Sequence, residues 1–173
     1  GIQFETDYNM ETLTAMAKGL RRTVRKKRSR RVHIFAAVVL ILGLLTILAT
    51  TAGGEPLGAS GVVTLLAMLV VILVSLFEDK LNAWFARKRL LPGTEHAAAT
   101  FEEDGYVSAT GVTESRFSYA QIVAVAETAR YFVFALSSHH TQAYDKRTIR
   151  GGSVEDFRAF IAEKTGKLVE KIK

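Results

Sequence analysis

"LRRTVRKKRSRRVHIFAAVVLILGLLTILATT", Leu20 to Thr51, decides how this chain is built. Eight of the eleven residues from Arg21 to Arg31 are Lys or Arg, and the next twenty, Val32 to Thr51, include none that is formally charged at pH 7. At ~1.5 Å per residue in a helix, twenty residues cover the ~30 Å hydrocarbon core of a bilayer. Apolar residues fall on every face of that helix, so there is no single stripe to lay on a soluble core. A second apolar run, Gly61 to Phe77, is shorter, and continuing through Glu78 and Asp79 extends it toward Trp84 and Phe85 at the interface. Between the runs lies "AGGEPLGAS", Ala52 to Ser60, which is rich in Gly, carries Pro56 and has no Lys or Arg. The two runs therefore read as a helical hairpin with spans at about 32–51 and 61–79. A secretory signal fits poorly, because the first run begins thirty residues in and a second span follows it.

The charge distribution sharpens this reading. Net charge is +6, yet Lys18, Arg21, Arg22, Arg25, Lys26, Lys27, Arg28, Arg30 and Arg31 contribute +9, so the remaining chain carries −3. From Gly93 onward there are 10 basic and 11 acidic residues. The protein has one basic block rather than a basic surface, which argues against nucleic acid as a partner. Arg87, Lys88 and Arg89 follow the second span, while the loop between the spans has no cation. The asymmetry predicts a multi-pass membrane protein with both termini cytoplasmic. Each cation held near anionic lipid gains about 1 kcal/mol, so the bilayer itself is an expected partner. The chain has no cysteine, which excludes disulfides, thiolate catalysis and Cys-ligated metals.

The flanking segments read as soluble structure. "IQFETD" alternates like a strand, and Asn9 is placed to cap a helix with Glu11 in its first turn. Met10, Leu13, Met16 or Ala17, Leu20 and Val24 give that helix one apolar face. Two placements fit: along the bilayer surface, or running on into the first span. Pro92-Gly93 stops the helix that leaves the second span. Beyond it the pattern is of strands: a hairpin turning at Asp104-Gly105, then Val112–Ser118, Ala120–Thr128, Arg130–Leu136 and His140–Lys146. Ser153 with Asp156 three residues on caps a last helix, whose apolar face is Phe157, Phe160 and Ile161 and whose end is Gly166. Five to seven short antiparallel strands and one helix predict a small helix-capped sandwich or barrel.

This order of parts resembles the YcxB-like family of small bacterial membrane proteins. The matching residues are "FEEDGY" at Phe101–Tyr106, "YAQIVAVAET" at Tyr119–Thr128, "YFVFAL", "YDKRTI" at Tyr144–Ile149 and the helix with "FRAFIAEKTG". The resemblance implies an N-terminal strand and helix, two spans in a bacterial cytoplasmic (inner or plasma) membrane, and a C-terminal domain of pleckstrin-homology-like type. It also implies that the strand at Ile2–Thr6 joins the C-terminal sheet. The family commonly has Pro before the residue aligned with Lys146; this chain has Asp145.

No constellation supports a reaction. His139 and His140 are adjacent, and adjacent residues on a strand face opposite ways, which disfavours chelation. Glu102-Glu103-Asp104 is accounted for by turn chemistry. Gly151-Gly152 reads as a helix-entry loop rather than an anion cradle. No nucleophile elbow or phosphate loop occurs. No enzyme activity, cofactor or metal is expected. Lys146, Arg147 and Arg150 form a small cationic cluster, a candidate for a lipid headgroup by fold analogy alone.

The expected protein is thus an α+β membrane protein: residues 1–31 a strand and basic helix, 32–91 a transmembrane hairpin, and 92–173 a cytoplasmic pleckstrin-homology-like β domain. The expected role is a membrane-anchored scaffold or regulator that binds a protein partner or itself, a homo-oligomer included. An immunity protein against a toxin or bacteriocin, and a small oligomeric transporter or channel, are the alternatives. Within the spans, Thr46, Thr64 and Ser75 are the polar groups, with His33 at the edge.

Overall fold

The computed structural model describes all 173 residues. The chain opens with β1 (Ile2–Asp7) and α1 (Met10–Arg22), followed by two long helices, α2 (Lys26–Ala52) and α3 (Ala59–Leu76), and a shorter one, α4 (Glu78–Arg89). The remainder is β2 (His96–Phe101), β3 (Tyr106–Ala109), β4 (Glu114–Phe117), β5 (Ala124–Glu127), β6 (Tyr131–Ala135), β7 (Thr141–Asp145), α5 (Val154–Thr165) and β8 (Val169–Lys171).

The strands form two four-stranded sheets, ordered β1-β2-β3-β4 and β7-β6-β5-β8. Their inner faces share one core, in which Phe4, Phe101 and Tyr106 of the first sheet meet Val125, Phe132, Phe134 and Tyr144 of the second. Helix α5 closes this core by burying Phe157 and Ile161 completely. Its start is the capping box read from the sequence: Asp156 N–H donates to Ser153 Oγ at 3.0 Å and Ser153 N–H donates to Asp156 Oδ2 at 2.9 Å.

The N-terminal strand is built into the sandwich. β1 pairs antiparallel with β2 along its length, from Ile2↔Phe101 to Asp7↔His96. It also touches the second sheet, where Asp145 N–H donates to Thr6 Oγ1 at 3.0 Å, and Gln3 bridges Arg150 in the segment after β7. The bond to Thr6 gives the departure at Asp145 a physical role, because a proline has no N–H to donate.

Strand β6 is buried at all five positions, and the reason lies in its alternation. Phe132 and Phe134 point into the shared core, while Tyr131 and Val133 point to a second cluster with Ala126 and Ala143. Helix α1 covers that second face. Leu13 and Leu20 are buried, Met16 packs on the cluster, and a Cβ at Gly19 would sit 2.7 Å from Val133 Cγ1. Thr12, fully buried, places its Oγ1 2.8 Å from the Tyr131 hydroxyl.

These contacts revise the reading of the first thirty residues. The apolar face of α1 is not free to lie on a surface, and α1 does not continue into α2. Its apolar face is taken by the outer face of the second sheet, and the helix breaks at Thr23, where φ is −115° and ψ −97°. Nor do residues 1–31 stand apart as a unit: β1 belongs to the sandwich and Lys26–Arg31 belong to α2. The second long helix stops at Leu76, earlier than expected, with Phe77 as the joint to α4. Strand β8, parallel to β5, lay outside the all-antiparallel expectation. Ala120 and Gln121, at the start of the expected strand Ala120–Thr128, belong instead to a short helical turn, Tyr119–Gln121.

Helices α2 and α3 lean on each other but bury almost nothing else. Both are long and apolar enough to cross a membrane, and their apolar stretches contain no buried residue. Phe35 is 70% exposed and Leu76 is 72% exposed. At 27 residues, α2 is about 40 Å long.

Candidate membrane-interface site

The basic block divides at the break between α1 and α2. Lys18, Arg21 and Arg22 lie at the end of α1, where cations complement the partial negative charge of a helix C-terminus. Arg25 is the first flanking residue of α2, and Lys26, Lys27, Arg28, Arg30 and Arg31 occupy its opening turns. Those five cations oppose the helix dipole, and neither an acidic residue in the first turn nor a side-chain cap relieves them. Arg87, Lys88 and Arg89 end α4, again favourably. Lys88 Nζ stacks 3.7 Å from the Trp84 ring, a contact suited to an interfacial aromatic.

Helix α4 returns along α1, and their charged ends meet. Arg21 donates to Asp79 through two bonds of 2.9 Å, Nε to Oδ1 and Nη2 to Oδ2. His33 Nε2 lies 2.9 Å from Glu78 Oε2, and Arg21 Nε is 3.9 Å from the same oxygen. The Asp79 side-chain hydrogen bond holds the Arg21 guanidinium pKa above its ordinary value against the opposing effect of burial. This knot of Arg21, Glu78, Asp79 and His33 ties α1, α2 and α4 together where the two long helices emerge. Sequence reading treated Glu78 and Asp79 only as an extension of the second span. Their signal was two adjacent acids directly after an apolar run, with nine cations upstream.

The β6–β7 loop reaches the same place. Arg25 Nε donates to the Ser138 carbonyl at 2.6 Å, and Arg25 Nη2 lies 2.9 Å from His139 Nδ1. His139 is thus engaged by an arginine. A cavity of about 480 Å³ opens between α1, the start of α2, the end of α3, α4 and this loop.

Lys146, Arg147 and Arg150 sit at the other end of β7, each within 4 Å of a carboxylate. Lys146 Nζ bonds Glu127 Oε2 at 2.6 Å, Arg147 Nη2 is 3.3 Å from Asp145 Oδ2, and Arg150 Nη2 is 3.7 Å from Glu5 Oε2. Glu127 also takes Arg158 at 2.6 Å. Burial alone would push Glu127 up, but Arg158 and Lys146 outweigh it and hold its pKa at about 2. Arg130 bonds Glu11 and Asp145, linking α1 to the same network. Lys146 is bound into the domain's internal network, while the Arg147 and Arg150 side chains are 62% and 69% exposed. Within the long helices, Thr46 and Thr64 donate to the carbonyls of Leu42 and Ser60, each four residues back on its own helix.

Residues 101–161, from the β2–β3 hairpin to the buried turn of α5, match the family model of the YcxB-like protein. No curated protein and no solved structure matches the chain.

Proposed function

We propose that the chain is a member of the YcxB-like family, whose model residues 101–161 match, and that it is an integral protein of a bacterial cytoplasmic membrane, in which α2 and α3 span the bilayer and carry a cytoplasmic scaffold or regulatory domain. The observation that carries this reading is the β1–β2 ladder. The strand before the hairpin and the strand after it pair in one sheet, so the hairpin must leave and return on one side. The exposed apolar stretches of α2, beyond Arg31, and of α3 support lipid as their solvent. The cations on the sandwich side, with none in the Gly53–Gly58 loop, support a cytoplasmic location for the sandwich. Two sheets closed at one end by α5 suit a pleckstrin-homology-like domain. The pairing of Lys146, Arg147 and Arg150 with carboxylates favours a protein partner, or a second copy of this chain, over a headgroup at that cluster.

The natural absence of cysteine makes the topology directly testable. Glu55→Cys should react with a membrane-impermeant maleimide in intact cells, and Ser115→Cys only after permeabilisation. The reverse pattern would overturn the orientation, and labelling of both in intact cells would overturn the spanning assignment. For the scaffold role, crosslinking in intact membranes followed by mild solubilisation should recover a defined protein partner or a homo-oligomer. Monomer alone under all conditions would remove the proposal.

A further inference from the structure

We infer that the cleft between α1, the start of α2, α4 and the β6–β7 loop binds one acidic phospholipid, with Arg25, Arg28 and Arg89 facing its phosphate. The inference rests on the spanning assignment above and adds a defined site to it. The cleft has two kinds of wall. One is cationic: Arg21, Arg25, Arg28 and Arg89 line it, against the single carboxylate of Glu78. Arg21 and Glu78 are already committed to the Asp79 and His33 contacts. Arg25 bonds only a carbonyl and a histidine nitrogen, and neither Arg28 nor Arg89 has a carboxylate partner. Three arginines thus share a cavity whose one carboxylate, Glu78, is paired with Arg21 and His33. Burial and the neighbouring Arg28 both lower the Arg25 guanidinium pKa, the direction expected where an anion is missing.

The other wall is apolar. Val32 and Val74, at the ends of the apolar runs, line the cavity with Phe85. The cleft therefore opens from the charged layer directly onto the surface that α2 and α3 present to hydrocarbon. A ligand matching both walls has a phosphate attached to acyl chains. The volume of about 480 Å³ suits a headgroup and glycerol, with the chains lying along the spans. Guanidinium donors match phosphate oxygens in pairs, and because a zwitterionic lipid brings its own ammonium to the same cationic wall, the unpaired arginines favour a headgroup of net negative charge.

The test is native mass spectrometry of the detergent-solubilised full-length protein titrated with phosphatidylglycerol, with phosphatidylcholine as the zwitterionic arm. The expected result is one retained phosphatidylglycerol, preferred about tenfold or more over phosphatidylcholine. Arg28→Gln/Arg89→Gln should lose that preference. Lys27→Gln/Arg30→Gln removes equal charge outside the cleft and should keep it. Equal binding of the two lipids, or equal loss in both double variants, would overturn the site. Displacement of the lipid by millimolar inorganic phosphate would overturn the lipid as its ligand. If the maleimide pattern holds and lipid selectivity fails, only this inference falls; if the maleimide pattern fails, the spanning assignment falls first.

Discussion

Arg21 and Asp79, 58 positions apart in sequence, form a two-pronged ion pair with both contacts at 2.9 Å. It joins the helix entering the hairpin to the helix leaving it. Both side chains are about one-fifth exposed, so the pair is neither fully screened nor fully desolvated. Asp79→Asn should lower stability by about 1–2 kcal/mol, read as a lower thermal midpoint in detergent. A double-mutant cycle with Arg21→Gln should show coupling; additive losses would mean the pair does not hold the helices.

Gly19 is where α1 comes closest to the second sheet. A branched side chain there meets Val133, whose Cγ1 lies 2.7 Å from the added Cβ position. Gly19→Val should destabilise the protein by about 1–3 kcal/mol through overpacking. Val133→Ala in the same chain should recover part of the loss. A neutral Gly19→Val would show that α1 does not dock as described.

Glu127 is 5% exposed and bonded to both Lys146 and Arg158. Glu127→Gln leaves two cations without their counter-charge, at a cost of about 3 kcal/mol or more at neutral pH. The sign of the pH dependence follows from its lowered pKa. The carboxylate contributes fully above its ordinary value of 4.5, and that contribution is lost as pH falls toward about 2. The gap in thermal midpoint between wild type and variant should therefore be constant above pH 5 and narrow below pH 4.5. A gap independent of pH would assign the cost to packing alone.

Asp145 has φ −74°, which a proline ring accepts. Asp145→Pro should therefore keep the turn that the family commonly makes with proline. It should cost about 1–3 kcal/mol by leaving the Thr6 hydroxyl without its donor, Arg147 without its acceptor and Arg130 with Glu11 alone. Thr6→Val in that background should return the Thr6 share. Failure of Asp145→Pro to fold would mean the backbone at this turn differs from the family's.

Local chemistry was legible in the sequence; partnership between distant segments was not. The Asn9 cap, the Asp104-Gly105 turn, the Ser153–Asp156 box and the Gly166 stop each depend on a few neighbouring residues and were read correctly. The two apolar helices were read from length and the absence of charge. What the pattern did not show was which apolar face covers which. Leu13, Met16 and Leu20 mark a buried stripe but not its cover, and β6, apolar on both faces, gives no sign that α1 supplies its second cover. The β1 pairing came from family resemblance rather than from periodicity. The interface knot was missed because Glu78 and Asp79 acquire their meaning only when α4 folds back on α1. Lys146 looked like a free cation because Glu127, its partner, lies nineteen positions away.

The ladder from Ile2↔Phe101 to Asp7↔His96 also sets an order of events during synthesis. From the sandwich's side, everything from Tyr8 to Glu95 is a single connection between adjacent strands. β1 leaves the ribosome first and must wait, unpaired, until both long helices and β2 have been made. Closing so long a connection carries a conformational cost that grows with its length; under the proposed spanning arrangement, a hairpin already settled in a bilayer would hold its two ends side by side and remove most of that search. Membrane insertion should thus precede and accelerate closure of the sandwich. In a cell-free synthesis, protease resistance of β1 should appear only after Phe101 has emerged, and sooner with membranes present than without.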